Sequence, residues 1–156
     1  MVKTRASNGV DVMKIDLRVA TPDDKEILAD LRLSAMKDSL NNIGRFDPKR
    51  ARDRFLQTFV SKSTQKIYLD GVLVGFYVLK KIEDHLSLDH LYCMPKFQNL
   101  GIGGYILESI IDSSRRNNLP IRLGALKKSR SNDFYIKHGF INTHETEWDI
   151  YYEFSH

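Results

Sequence analysis

Between Leu91 and Ile111 the chain reads LYCMPKFQNLGIGGYILESII, and no other stretch restricts the fold as much. An apolar run breaks at Pro95, glycines follow at 101, 103 and 104, and Ile102, Ile106 and Ile110 then recur with the spacing of one helix face. A strand must therefore pass through a glycine loop directly into a helix. The first turn of a helix carries amide N–H groups without intrahelical partners at the positive end of its dipole, and this attracts anions. Glycine removes the β-carbon that would hold a bulky phosphate away from those groups. Two nucleotide-binding patterns do not fit. The dinucleotide fingerprint G-x-G-x-x-G needs a glycine where Ile106 stands, and a Walker loop needs a Gly-Lys-Ser/Thr ending that is absent. A tight strand-to-helix turn without a ligand remains the plain alternative.

The segments around this loop set the fold class. Residues 1–12 lack periodicity and read as a loose leader, with Met13 a second candidate start, so the expected organisation is one domain over 13–156. IDLRVA, Ile15 to Ala20, alternates as a strand. Thr21, Pro22 and the acids after them start a helix that carries Ile27, Leu28, Leu31 and Ala35 on one face and runs to about Leu40. A turn-rich connection, Asn41 to Pro48, leads to a second helix from Pro48 to Val60 with Ala51, Phe55 and Phe59 spaced by four. KIYL and VLVGFYVLK are strands joined by Asp70-Gly71, a type I′ hairpin signal. HLSLDHLYCM is a further strand, with Leu86, Leu88, Leu91 and Cys93 as its apolar positions. After the long helix, which ends near Asn117-Asn118, come the strand IRLGAL, a short helix over SNDFYIKH that stops at Gly139, and one or two final strands. This order requires an α/β sheet with antiparallel hairpins and at least one parallel crossover.

Composition narrows the function classes. An apolar content of 42% with 28% charged residues is that of a folded, water-compatible chain. No apolar run approaches the ~20 residues of a membrane helix, and no signal-like apolar core follows Lys3 and Arg5. One cysteine, Cys93, excludes a disulfide framework and a thiolate metal cluster, so a reducing, cytoplasmic setting without a metal is the expectation. The net charge of +4 is scattered, with no aromatic–basic stripe, which suits a mildly basic surface or a small anionic ligand better than nucleic acid.

QNLGIGG has the Q-x-x-G-x-G arrangement of the pyrophosphate loop of GNAT-superfamily N-acetyltransferases, and SRSNDFYIKHGF, Ser129 to Phe140, resembles that superfamily's late helix closing on Gly-Phe. LRVATPDD is similar to its opening, so the resemblance spans Ile15 to Tyr152. It implies a mixed, mostly antiparallel central sheet that splays after the fourth strand, flanked by about four helices. It further implies acetyl-CoA as co-substrate and an amine-bearing small molecule or peptide as acceptor, with no nucleic acid or membrane partner and with homodimer formation in prospect. The cofactor-binding residues it implies are Cys93, Met94, Gln98, Asn99, Leu100, Gly101, Ile102, Gly103, Gly104, Asn132 and Tyr135. The sequence departs from the pattern at Asn99 and Leu100, which leaves no guanidinium in the loop, and at Ser129 and Ser131.

The chemistry implied is direct attack by the amine on the thioester. Pro95 has no N–H to give, so ladder pairing stops near it, and the main chain of Cys93 and Met94 is expected to pair with the pantetheine arm and polarise the thioester carbonyl. Tyr135 matches the position of the phenol that protonates the departing thiolate. Asp89 is the candidate base, because alternation places Asp89, Leu91 and Cys93 on one face and some family members keep a catalytic glutamate there. By the same count His90 faces away and reads as structural. A covalent route through Cys93 has no partner histidine to support it. Trp148, Tyr151 and Tyr152 read as core or sheet-surface residues, and Arg45, Phe46 and Asp47 as acceptor-side groups. A non-catalytic acyl-CoA-binding module of the same fold is the alternative.

Overall fold

The structure is a computed structural model and describes residues 14–156, so the leader expected over 1–12 lies outside the described residues. Seven strands form one sheet in the order β1-β2-β3-β4-β5-β7-β6. They are β1 (Ile15–Val19), β2 (Thr64–Leu69), β3 (Val72–Ile82), β4 (His85–Cys93), β5 (Ile121–Leu126), β6 (Ile141–Glu145) and β7 (Asp149–Phe154). Every pairing is antiparallel except β4 with β5, which the crossover helix α3 (Ile102–Asn117) joins.

Local chemistry explains most boundaries. The Thr21 amide donates to the Asp24 carboxylate at 2.8 Å, fixing the 3-10 turn Pro22–Asp24 that leads into α1 (Lys25–Asn42). Asp47 accepts from the Arg50 amide at 3.1 Å and Pro48 occupies the first turn of α2 (Pro48–Thr58). Asp70 and Gly71 both have positive φ, 49° and 84°, as the hairpin between β2 and β3 requires. Gly139, at φ 94°, closes α4 (Ser131–Lys137).

The helices cover both sheet faces. α3 and α4 lie over a core that includes Leu86, Leu88, Ile102, Ile106, Leu107, Ile110, Tyr135 and Tyr152. α1 and α2 lie over the other, around Leu28, Leu31, Phe55, Phe76 and Val78. Ile27, expected on the buried face of α1, is 53% exposed, and Ala29 is buried in its stead. No described helix is long and apolar enough to cross a membrane.

Candidate active site

β4 and β5 pair only at Leu86–Ile121 and Ser87–Arg122. Beyond that point they separate, and the sheet opens into a cleft of about 1860 Å³ that both sheet faces line. Which backbone groups face the opening follows from the β3–β4 ladder. The Met94 amide donates to the Val74 carbonyl at 2.8 Å, so Met94 faces β3, and one position earlier the Cys93 N–H and C=O must face the gap. The Leu91 groups face it by the same alternation. Met94 differs from expectation: its amide serves Val74 and its carbonyl already accepts from the Phe97 amide at 2.9 Å, so it has no N–H left for a pantetheine arm.

The glycine loop turns from β4 into α3 with two residues in the left-handed region, Asn99 at φ 67° and Gly101 at φ 88°. Gly101 is the position that needs glycine, since a β-carbon there costs about 1–2 kcal/mol. Gly103 and Gly104 face Phe134 and His138 at α4, where a β-carbon at either position would lie 3.5 Å from the facing ring, an ordinary contact, so packing between the helices does not itself demand glycine there. Among the described residues no acceptor meets the amides of Asn99, Leu100, Gly101, Ile102, Gly103 or Gly104, and the first intrahelical bond runs from the Tyr105 amide to Gly101.

Gln98 and Asn132 differ from expectation. The Gln98 side-chain amide donates to the Cys93 carbonyl at 3.0 Å, its side-chain oxygen accepts from Arg130 at 3.1 Å, and its backbone amide goes to Pro95. Gln98 is a strut between loop, strand and α4, with one of its two side-chain N–H groups committed to Cys93. Asn132 gives its amide hydrogens to the Leu126 and Ser129 carbonyls and accepts from the Tyr152 hydroxyl at 2.8 Å, so it is spent inside the protein. Arg130, which the sequence did not single out, brings a guanidinium beside the loop from α4 and lines the cleft. Ser129 lines the cleft but donates to the Leu126 carbonyl at 2.8 Å.

Tyr135 stands where expected, on α4 at the cleft, packed by Phe134, Phe140 and Tyr152. Burial, with Tyr92 nearby, drives its phenol well above the ordinary range, so it stays protonated. The Cys93 thiol is pushed up to about 11 by burial and is unsuited to nucleophilic attack.

The candidate base does not stand where alternation places it. β3 and β4 pair Val78 with His90 but Leu79 with Leu88, so Asp89 is the extra residue of a β-bulge. The bulge turns Asp89 and His90 to the same side, that of α1 and α2, while Leu91 and Cys93 stay with Leu86 and Leu88 under α3 and α4. Asp89, exposed, accepts from Ser87 at 2.6 Å and pairs with Lys80 at 3.3 Å. The reason for sharing a face with Cys93 is thus removed. His90 instead lies among Phe55, Phe76 and Tyr92, its Nδ1 3.1 Å from the Tyr92 hydroxyl. Burial, then Arg32, Lys80 and Arg54, push its pKa down to about 4 against a smaller opposing pull from Asp89, so it is neutral at pH 7. At the far end of the sheet Tyr152 is core, Tyr151 stacks on His144 at the cleft, and Arg45 sits 4.4 Å over the Trp148 ring.

Solved structures share this architecture. The PaiA N-acetyltransferase of Thermoplasma acidophilum in complex with coenzyme A aligns with a TM-score of 0.76 at 19% identity, covering 92% of this chain and 99% of that one. An acetyltransferase from Thermus thermophilus aligns at 0.71 with 17% identity, over 90% and 96%. A GNAT-family acetyltransferase from Bacillus anthracis gives 0.64 and 16% identity, over 97% of both chains. None of the curated proteins compared with the chain matches it. The acetyltransferase (GNAT) domain profile matches residues 58–142, more than half of the chain and all of the segment from β2 through the glycine loop to α4, and the protein therefore belongs to the GNAT acetyltransferases and is an acyltransferase.

Proposed function

We propose that the protein transfers an acetyl group from acetyl-CoA to a primary amine by direct attack within a ternary complex. The observation that carries this reading is the pairing of two unspent sets of backbone donors in one cleft: the amides of 99–104 at the entrance of α3, and the Cys93 amide where β4 leaves β5. The first set suits a diphosphate, with Arg130 supplying the guanidinium that the loop lacks. The second suits a thioester carbonyl, whose oxygen gains negative charge during attack; one such donor is typically worth about 3–4 kcal/mol. CoA spans such a distance by its pantetheine arm, so both ends fit one molecule.

Tyr135 is the proton donor to sulfur. Its raised pKa keeps the proton in place until a thiolate develops beside it in a site where an anion is poorly solvated. The amine approaches from the wall formed by α1, α2 and the outer face of β4. There Asp89 receives its proton through water, as an exposed carboxylate already tied to Lys80. Such a group contributes little basicity, so the amine enters largely by its own neutral fraction and kcat/KM rises with pH.

Calorimetric titration with acetyl-CoA, followed by thiol release across an amine panel, tests the reading. Binding in the micromolar range with turnover is the expected result, and Tyr135→Phe lowers kcat by about 10²-fold with little change in CoA affinity. Absence of binding sinks the proposal. Tight binding with no thiol release from any amine assigns the non-catalytic acyl-CoA-binding alternative.

A further inference from the structure

The acceptor wall of the cleft has an unbalanced charge. α1, the connection after it, α2, β3 and β4 place five cations there, Arg32, Arg45, Arg50, Arg54 and Lys80, against two carboxylates, Asp47 and Asp89. The carboxylates are already engaged, Asp47 as the cap of α2 and Asp89 with Lys80 and Ser87. Arg45 rests on Trp148. Arg32, Arg50 and Arg54 have no carboxylate partner among the described residues.

Arg32 is the most telling. Its Nη1 is held by the Ala51 carbonyl at 3.0 Å, which fixes the guanidinium, yet its Nε is buried and makes no hydrogen bond. A guanidinium N–H out of water without an acceptor is costly, and a held, part-buried guanidinium at the cleft with no carboxylate partner favours a bound anion. Arg32 lines the same cleft as His90, Tyr92, Cys93 and Tyr135, so an anion held there keeps an attached amine within the cleft that holds the proposed reacting end.

We infer that the acceptor is a small amine that also carries an anionic group, bound by Arg32 with Arg54 beside it. This rests on the acetyl-transfer reading above and names its substrate class: amino acids or phosphorylated amines, not polyamines. A polycation brought to this wall meets like charge at short range.

Two measurements test it. In the first, protein saturated with CoA, so that its diphosphate loop is filled, is titrated calorimetrically with N-acetyl amino acids, with their carboxamides and with N-acetyl phosphoethanolamine. In the second, thiol release from acetyl-CoA is followed with amino acids, amino acid amides, phosphoethanolamine, ethanolamine and spermidine. The anionic member of a pair is expected to win by about 10- to 100-fold, the usual scale for hydrogen bonds to a charged group. Arg32→Gln brings that ratio near one, Arg32→Lys keeps part of it, and Arg54→Gln, on an exposed position that folding does not need, lowers it. The better of the amino acids and phosphoethanolamine tells carboxylate from phosphate. Equal binding of acid and amide, binding of neither, a preference for spermidine, or a ratio indifferent to both arginine substitutions overturns the inference. Charge-selective product binding with no thiol release keeps the anion site and removes the transferase reading; thiol release from neutral amines without preference does the reverse.

Discussion

Gly75 of β3 lies opposite Cys93, and its replacement by alanine tests whether the Cys93 amide is the polarising group. A β-carbon built at Gly75 falls 2.2 Å from the Tyr92 carbonyl oxygen and 3.2 Å from the Cys93 α-carbon. Carbon and oxygen at ordinary contact lie about 3.3 Å apart or more, so the substitution demands a displacement of about 1 Å. The atoms in the way are backbone, and no rotamer change relieves them. Overpacking of this kind costs about 1–3 kcal/mol, which for a domain of this size lowers Tm by roughly 3–10 °C. The catalytic effect is larger in proportion. Moving β4 moves the Cys93 N–H away from the carbonyl it polarises, and a 1 Å misplacement costs about 10² in rate. The diphosphate loop lies past Pro95 and is tied to Arg130 as well as to Cys93 through Gln98, so CoA affinity falls by less than kcat does. Thermal denaturation, CoA calorimetry and thiol release measure the three quantities. A Gly75→Ala protein with unchanged kcat refutes the role given to Cys93, and one with unchanged Tm refutes the packing argument itself.

Two further outcomes follow from buried titratable groups. His90 is held neutral to about pH 4 in the fold but takes a proton near 6.5 when unfolded. As pH falls, the unfolded chain binds the proton first, so stability is complete above pH 6.5, declines from there to 4, and loses roughly 3 kcal/mol across that window. Urea denaturation at several pH values should show this slope in the parent and a shallower one in His90→Gln; equal slopes contradict it. Cys93, pushed up to about 11, holds only about 10⁻⁴ of its thiol as thiolate near neutral pH, so alkylation by iodoacetamide should run at least ~100-fold slower than for free cysteine. Rapid labelling of the native protein would speak against its burial.

What the sequence revealed and what it hid divide along one physical line. Features fixed by neighbours along the chain were legible: the Asp70-Gly71 hairpin, the helix start at Thr21, the Gly139 stop, and the entry of α3 behind Gly101. Tyr135 was found by its place in a short motif, which is local information too. Features fixed by a partner far along the chain were not. Met94 lost its amide to Val74 through the β3–β4 register, Asn132 lost its side chain to Tyr152, and Gln98 bridges strand and helix. Nothing along the chain singles out Arg32 and Arg54; two helices over one sheet face bring them to the cleft. The bulge at Asp89 did leave a trace. The apolar positions Leu86, Leu88, Leu91 and Cys93 are spaced two, three, two, and a strict strand cannot keep Leu88 and Leu91 on one face.

That odd interval links the fold to the chemistry. A continuous sheet keeps its two faces apart, so groups under α3 and α4 cannot act on a molecule held under α1 and α2. Here the split between β4 and β5 removes the barrier, and Tyr135 from one layer senses Tyr92 from the other. The bulge sorts β4 to suit. Before it the strand gives Leu86 and Leu88 to the α3 side; after it Leu91 and Cys93 remain there, while Asp89, His90 and Tyr92 turn to the side of α1 and α2. Were the same residues to run on in strict alternation, without the bulge, His90 and Tyr92 would share a face with Leu86 and Leu88, and a polar pair would enter the main core as Leu91 and Cys93 left it. By absorbing one residue, the bulge thus keeps the hydrophobic layer intact, and in the proposed transfer it gives each reactant its own side of the same strand.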